Sequence, residues 1–332
     1  VFNALTNLRQ HTGNWPGKTV TNAQGRHTHR GRDYILVDLP GTYSLMAHSA
    51  EEEVARDFLC FGGADGAVVV CDATCLERNL NLVLQTLEIT PRTVVCVNLM
   101  DEARSKGIEV DTAELSRLLG VPVVAAAAGR NEGLEQLMEA VADMAAEEEA
   151  PHTFRPGYPS AVERALARLE PVLARRLEGR LPARWTALRL LDQDPSLLCA
   201  LEKFLEIDLM EDPEVRIALL EAQAGLKEEG LDQESLRETV VASLVRAGAE
   251  IAGETVTFHR EDAARRDRQL DRILTSRATG IPVMLCLLAV VFWITIAGAN
   301  VPSALLADGL FWVQDRLTDF FTWMHAPAWL HG

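Results

Sequence analysis

The sequence has far fewer basic than acidic residues, and it lacks the cysteine spacing typical of metal sites. Its 32 lysines and arginines stand against 48 aspartates and glutamates, so the formal net charge is -16 at pH 7. Nucleic-acid phosphates would repel most of such a chain, which argues against broad binding of nucleic acid. None of the six cysteines forms a C-x-x-C pair, and the nearest two are Cys71 and Cys75. Small buried thiols in a reducing compartment are therefore favoured over a cysteine metal site.

An initiating methionine and a secretory signal are also missing. The chain opens at Val1, inside a stretch typical of a helix. We therefore expect that the start of the protein lies upstream of Val1. A length of 332 residues with 48% hydrophobic content can bury a sizeable core and suggests two or three domains.

The first informative motif follows an apolar strand and runs from Asp38 through a turn at Pro40 and Gly41. A carboxylate at the end of a strand can hold Mg²⁺ through water, and the free N–H of the glycine can sense a γ-phosphate. Ordinary turns of α/β proteins have the same pattern, so this motif alone does not decide between the two interpretations.

A second motif, N-x-x-D from Asn98 to Asp101, follows another apolar strand. Asn98 can brace the loop, while the Asp101 carboxylate can accept both N1–H and the exocyclic N2–H of guanine. Adenine lacks this donor pair and would leave the buried carboxylate unpaired. The two motifs in this order make a GTPase core the leading interpretation.

A loop rich in glycine and proline precedes both motifs and contains Thr19. In a GTPase this is the place of switch I, where the threonine hydroxyl can bind Mg²⁺ and its N–H can contact the γ-phosphate. Taken alone, the loop is equally typical of a turn into a hairpin strand. His27 and His29 follow on alternate strand positions, and solvated hairpin residues are favoured over a metal site because no cysteine or carboxylate cluster stands near them in sequence.

Strands and helices alternate along the first part of the chain. We predict an α/β fold whose parallel sheet is covered on both faces and binds ligands at the carboxyl ends of its strands. The predicted elements are a helix after Ser49, a strand at 67–72, a helix at 76–87, a strand at 93–98, a helix at 111–119, a strand at 121–126 and a helix at 133–144.

An acidic tract and a proline-rich run at 150–159 form the clearest linker, which places a first domain at 1–149. Leucines and valines recur at helical spacing over 160–262, so a small all-α domain is expected there. Four prolines are expected to break or start its helices, namely Pro171, Pro182, Pro195 and Pro213.

An apolar run without charge covers 280–298 and follows a cluster of arginines. Its length is about enough to cross a bilayer, and the basic flank places residues 1–279 in the cytoplasm. We therefore expect a membrane domain from residue 263 whose first transmembrane helix lies at about 280–298. Residues 302–329 suit an interfacial segment better than a second span. A buried core helix is the alternative for the run at 280–298.

Five motifs stand in a fixed order along the chain. They are N-W-P-G-K-T-V from Asn14, D-L-P-G-T-Y-S-L from Asp38, D-A-T-C-L-E-R-N-L from Asp72, N-L-M-D from Asn98, and D-R-I-L from Asp271 followed by G-I-P from Gly280. Together they resemble the ferrous iron transport protein B family. The resemblance covers nearly the whole chain, and the combination is specific although no single motif is.

The resemblance implies a multi-pass protein of the bacterial inner membrane. Such a protein has a cytoplasmic P-loop-type GTPase domain, a helical spacer that acts as a GDP-dissociation inhibitor, and a membrane core that passes Fe²⁺ inward. The implied partners are GTP, the lipid bilayer, the rest of the transporter core and small accessory Feo proteins, without nucleic acid. A homo-oligomer is left open.

The resemblance also implies roles for individual residues by matching position. Mg²⁺ would be held by Thr19 and Asp38, K⁺ by backbone carbonyls of Asn14 and Trp15, and hydrolysis would involve Thr19 and Gly41. Thr42 stands where small signalling GTPases have a water-orienting glutamine, so slow turnover is expected. The implied GTP and GDP contacts are Gly17, Lys18, Thr19, Val20, Thr21, Asp38, Leu39, Pro40, Gly41, Asn98, Leu99, Met100, Asp101, Ala127 and Ala128.

One motif of the family does not occur in the sequence. No G-x-x-x-x-G-K-[ST] is found, so the loop that cradles the α- and β-phosphates and the strand before it are not in this chain. We expect a fragment cut at both ends, whose own GTPase activity stays open.

The expected function is GTP-dependent ferrous iron transport, in which GTP hydrolysis gates or drives Fe²⁺ uptake. A membrane-tethered regulatory G-protein switch without its own pore is the alternative. A soluble RNA-associated GTPase ranks behind both, because an apolar run stands where a basic RNA-binding domain would be expected.

Overall fold

The fold is described from a computed structural model that covers residues 1–6, 23–46, 50–147, 151–259 and 277–323. Contacts divide the chain into two units, Val1–Arg260 and Glu261–Gly332. The elements are, in order, α1 (Phe2–Thr6), β1 (Ala23–His29), β2 (Arg32–Asp38), α2 (Ala50–Phe61), β3 (Ala67–Asp72), α3 (Leu76–Ile89), β4 (Thr93–Asn98), α4 (Met100–Ser105), β5 (Ile108–Val110), α5 (Thr112–Leu119), β6 (Val123–Ala125), α6 (Leu134–Ala146), α7 (Ser160–Leu177), α8 (Ala183–Asp192), α9 (Pro195–Leu205), α10 (Pro213–Glu228), α11 (Gln233–Thr255), β7 (Val256–Phe258) and α12 (Arg277–Trp323).

Three parallel strands, in the order β3-β4-β6, form the sheet that positions the site. β4 is the central strand, and its residues from Thr93 to Val97 are at most 1% exposed. Such a run of β-branched residues is typical of a strand buried on both faces. The predicted parallel sheet is thus confirmed. β6 is shorter than the predicted strand at 121–126, because Pro122 has no N–H to donate and the ladder starts after it.

Helices cover this sheet on two sides, but not over its whole width. α3 contributes the buried leucines Leu80, Leu84 and Leu87, as predicted. On the other face α6 lies mainly over β4 and β6. Val68 and Val70 of β3 remain 37% and 44% exposed. The prediction of a sheet covered on both faces is therefore wrong at β3.

β1 and β2 form an antiparallel hairpin of their own rather than part of the parallel sheet. The turn between them is Arg30 and Gly31, both with positive φ, which matches the right-handed twist of a tight hairpin. His27 and His29 are only half-exposed, and His27 Nδ1 lies 2.8 Å from the Leu5 carbonyl oxygen. They are therefore partly packed hairpin residues, not fully solvated ones.

A second short pairing, between β5 and β7, was not predicted. β7 directly follows α11 and runs antiparallel to β5, with Val110 opposite Val256. The His259 N–H donates to the Gly107 carbonyl at 2.8 Å, and the Asp111 N–H donates to the Thr255 carbonyl at 2.8 Å. The carboxyl end of the helical region is thereby bonded to the region that follows α4.

Residues 160–255 form helices α7 to α11, as their leucine spacing predicts. Pro195 and Pro213 start α9 and α10, and Pro182 precedes α8, also as predicted. Pro171 instead lies inside α7. Its ring faces solvent, where water can bond the carbonyl that loses its helical donor.

The helical region shares one apolar core with the α/β region. α11 packs along α3, and a Cβ placed on Gly248 would stand 3.5 Å from the Leu80 Cβ. Leu244 and Ile251 of α11 belong to the same buried cluster as Leu84 of α3. A shift of α3 would therefore change its packing against α11.

All six cysteines are free, as predicted, but only Cys71 and Cys96 are buried. Burial raises the pKa of Cys96 to about 11 and, for the partly buried Cys60, to about 12. Both thiols therefore stay protonated at neutral pH. Cys75, Cys199 and Cys286 are exposed, so the prediction of buried thiols is wrong for these three.

α12 is described by itself. It is a continuous helix that passes through Pro302, so the separate segment predicted from residue 302 does not begin with a break. Among the residues that the structure describes, no helix combines the length and the apolarity needed to cross a membrane. The arginines between residues 260 and 276 lie outside the described residues.

Candidate functional site

The best-defined part of the site is where two loops meet at the carboxyl ends of β4 and β6. Asn98 ends β4, and its Oδ1 accepts the Ala128 N–H at 3.0 Å. The Met100 N–H donates to the Ala126 carbonyl at 3.1 Å. Leu99 has φ 62°, a left-handed conformation that turns the chain sharply from β4 into α4. The turn places Asp101 in the first turn of α4.

Asp101 presents its carboxylate at the rim of these loops. Its side chain is 26% exposed, and its Oδ2 lies 2.9 Å from Arg130 Nε. The Arg130 side chain is 65% exposed, so the pair is largely solvated and weak. The carboxylate is thus an accessible hydrogen-bond acceptor with a displaceable counter-ion.

The loop after β6 is closed by its own backbone bonds. The Ala127 N–H donates to the Glu132 carbonyl at 3.0 Å, and the Glu132 N–H donates back at 3.2 Å. Ala127 and Ala128 are almost completely buried. In this structure the N–H groups of both of these implied nucleotide contacts are bonded within the protein, that of Ala127 to Glu132 and that of Ala128 to Asn98.

Gly133 closes this loop at a position that only glycine fits. Its φ is +80°, and a Cβ added there would lie 2.2 Å from the Ala125 carbonyl oxygen. We expect Gly133→Ala to lower the free energy of unfolding by about 2 kcal/mol or more, because backbone strain adds to the steric contact. Urea denaturation measures the loss.

Gly129 of the same loop provides the matched control. A Cβ built on Gly129 would have no heavy atom within 4 Å. Gly129→Ala should therefore change the free energy of unfolding by less than about 0.5 kcal/mol. Equal losses for the two variants would contradict this account of the loop.

The other part of the site follows the hairpin. β2 ends at Asp38, and Leu39, Pro40 and Gly41 continue without regular structure to an exposed glycine. Burial raises the pKa of the half-buried Asp38 above its ordinary value. A cation bound beside it would favour the ionised form again. A carboxylate oxygen at this place is a ligand of the type that Mg²⁺ prefers, so Asp38 fits that ion.

The segment after Gly41 is held by hydrogen bonds. The Thr42 hydroxyl accepts the Ser44 N–H at 3.1 Å and lies 2.5 Å from the Ser44 carbonyl oxygen. Thr42 is therefore engaged within its own loop. The Leu45 N–H donates to Gln85 Oε1 of α3 at 2.5 Å.

The structure does not describe every predicted site residue. Asn14, Trp15 and the run from Gly17 to Thr21 lie outside the described residues. Within the described ranges, no three His, Cys, Asp or Glu side chains are grouped as metal ligands. The described part of the candidate site thus consists of the two loops that follow β4 and β6, called the base loops because the sequence predicts guanine contacts there, and of the segment from Asp38 to Met46.

Comparison with known proteins gives the family of this fold. A sequence model described as "Ferrous iron transport protein B" matches residues 1–141, and one described as "FeoB cytosolic helical domain" matches residues 158–257. A GDP-bound mutant of S. thermophilus NFeoB is 30% identical, with a TM-score of 0.60, over 77% of this chain and 93% of that one. The chain belongs to the ferrous iron transport protein B family.

Further FeoB proteins extend the similarity. The cytosolic domain of L. pneumophila FeoB is 28% identical with a TM-score of 0.61, over 77% of this chain and 93% of that one. The Fe(2+) transporter FeoB of Salmonella typhimurium is 31% identical over 352 aligned residues, which cover 99% of this chain and 41% of the relative. This chain thus spans less than half the length of its curated FeoB relatives.

Two side chains that contact the candidate site of this FeoB-family chain were missed by the sequence motifs. Arg130, in the loop after β6, contacts Asp101 of α4, and Gln85 of α3 contacts Leu45 across 40 residues of sequence. A buried glutamine among the leucines of α3 was the available signal, because a buried amide needs partners.

Proposed function

We propose that this chain is the GTP-binding part of a GTP-dependent Fe²⁺ transporter of the bacterial inner membrane, in which hydrolysis gates or drives iron uptake. The observation that carries the proposal is the meeting of the two base loops. Asn98 ties them together through the Ala128 N–H, and Asp101 presents an accessible carboxylate beside them. An acceptor held in this way matches the N1–H and N2–H donors of guanine.

The proposal includes a division of the chain. Residues 1–149 are the GTPase domain, 150–159 a linker, 160–262 a helical spacer of the GDP-dissociation-inhibitor type, and 263–332 the start of a membrane domain. Its first transmembrane helix lies at about 280–298, with residues 1–279 in the cytoplasm. The core shared by α3 and α11 supports a spacer that acts on the GTPase domain by direct contact.

The nucleotide and ion contacts are proposed as the sequence motifs and the family resemblance imply them. Asp101 and Asn98 serve the guanine, and the Gly41 N–H serves the γ-phosphate. Asp38 and Thr19 would hold Mg²⁺, which supplies positive charge to the phosphates. Backbone carbonyls of Asn14 and Trp15 would hold K⁺. The remaining transporter core, small accessory Feo proteins and the bilayer are the proposed partners.

Direct nucleotide binding tests the proposal. A fluorescent GDP analogue is titrated onto this chain in the presence of Mg²⁺ and then displaced by unlabelled GDP or ADP. We expect ADP to require at least about 100-fold higher concentrations than GDP, since adenine leaves Asp101 unpaired. Displacement by ADP and GDP at equal concentrations would overturn a guanine site.

A further inference from the structure

One face of α3 contacts the segment that follows Gly41. Arg78, Asn81 and Gln85 are spaced three and four residues apart, so they share one face of the helix. Gln85 is only 4% exposed. The residues that pack α3 into the core, Leu80 and Leu84, are completely buried, which fixes the helix as a platform.

Gln85 makes the central contacts of this face. Its Oε1 accepts the Leu45 N–H at 2.5 Å and the Ser44 hydroxyl at 3.2 Å. Its Nε2 donates to Asn81 Oδ1 at 3.2 Å. A buried amide costs free energy unless it is bonded, and here the partners that compensate it lie mainly in the loop.

Asn81 and Arg78, the other two residues of this face, contact Tyr43. Asn81 Nδ2 donates to the Tyr43 carbonyl at 3.4 Å, and the Arg78 guanidinium stands 3.8 Å from the centre of the Tyr43 ring. Tyr43 is 56% exposed, so its position depends on these contacts rather than on burial. Residues 43 to 45 are thus each bonded or stacked to α3.

We propose that Gln85, Asn81 and Arg78 form an α3 clamp that fixes the backbone directly after Gly41. The clamp thereby sets where the Gly41 N–H stands relative to a γ-phosphate. This second part rests on the proposed function, in which Gly41 senses that phosphate. These three are positioning residues, because they act on the nucleotide only through the loop. GDP has no γ-phosphate, so its affinity should be independent of the clamp.

Gln85→Met tests the clamp, since it keeps the side-chain volume and removes the amide. In the nucleotide-free chain, amide hydrogen exchange over residues 42–46 should become at least about tenfold faster. The preference for GMPPNP over GDP should fall by about threefold or more, with the GDP affinity unchanged. Gln85→Glu keeps the acceptor for the Leu45 N–H and should restore much of the protection.

Thr86→Val is the matched control, because Thr86 is buried on the same helix and its hydroxyl donates to the Leu82 carbonyl of that helix rather than to the loop segment 43–45. Thr86→Val should change neither the hydrogen exchange of residues 42–46 nor the preference for GMPPNP over GDP. Unchanged exchange in Gln85→Met would overturn the clamp, and faster exchange with an unchanged nucleotide preference would overturn its role at the γ-phosphate. If the unmodified chain bound neither nucleotide, the proposed function and that role would fall, whereas the exchange result would still decide whether the clamp exists.

Discussion

Asp101→Asn is expected to convert a guanine-nucleotide site into a xanthine-nucleotide site. The carboxylate can accept two donors from guanine, whereas asparagine offers one acceptor and one donor. Xanthine carries a carbonyl where guanine carries its amino group, so it pairs with the asparagine donor. GDP affinity should fall at least about 100-fold, and XDP should become the tighter ligand. Displacement of a fluorescent nucleotide by GDP and XDP measures the exchange of preference.

The gain of XDP binding is the decisive part of this experiment, because an unfolded variant would gain nothing. Glu102→Gln is the matched control. Glu102 is the next carboxylate of α4, and it pairs with Lys106 rather than facing the base loops. It should leave both affinities unchanged. Retention of the original GDP affinity by Asp101→Asn would contradict the guanine assignment. Loss of the Arg130 pair should have little effect, since that pair is solvated.

Asp194→Ala is expected to lower the stability of the chain strongly for a substitution at a partly exposed residue. Arg56 of α2 is 2% exposed, and its Nη1 lies 2.9 Å from Asp194 Oδ2 in front of α9. Asp194 also caps α9 by accepting the Ser196 N–H at 3.0 Å. Removal of both contacts should lower the free energy of unfolding by about 3 kcal/mol. The loss is limited because Asp57 still pairs with Arg56. Urea denaturation at pH 7 measures it.

Two further variants separate the ion pair from the cap. Asp194→Asn keeps a capping oxygen and loses the charge, so it should retain part of the stability. Asp212 caps α10 in the same way, but its ion-pair partner Arg176 is 39% exposed. Asp212→Ala should therefore lower the free energy of unfolding clearly less than Asp194→Ala does. Equal losses for Asp194→Ala and Asp212→Ala would mean that the pair with Arg56 contributes nothing.

The pH dependence follows from the same contacts. Burial alone would raise the pKa of Asp194, but hydrogen bonds from Ser196 and the charge of Arg56 outweigh it and hold the pKa below its ordinary value. The stabilisation is therefore complete above the ordinary aspartate pKa of about 4 and is lost as the pH falls through the lower folded value. The difference in the free energy of unfolding between the unmodified chain and Asp194→Ala should therefore become smaller below about pH 4.

Sequence patterns predicted the positions of β3, β4 and α3, because the two strands are continuous apolar runs and the leucines of α3 follow the helical period. The same kind of run did not distinguish β4, which is buried on both faces, from β3, which leaves Val68 and Val70 exposed. β5 and β7 have three residues each, too few to show any period. The expectation that Pro171 breaks or starts a helix was wrong, because a proline on the solvated face of a helix is tolerated.

Residues of the candidate site could be proposed from sequence where a motif lies within one short segment. Asn98 and Asp101 could be named because they are only three positions apart in sequence and so belong to one recognisable motif. Their bonding to Ala128 and Arg130 could not, because it depends on how the β6 loop packs against the β4 loop. The α3 clamp was hidden for the same reason, since Gln85 and Leu45 are distant in sequence and meet only in the fold.

The β5–β7 pairing has a mechanical consequence. β7 is bonded along its length to β5, and β5 in turn contacts α4, the helix that carries Asp101. A tension applied to the chain beyond His259 would load the hydrogen bonds of this ladder before it reached α11. The strain would pass through β5 to α4, so a pull at the end of the helical region would be transmitted to the carboxylate proposed to hold the base.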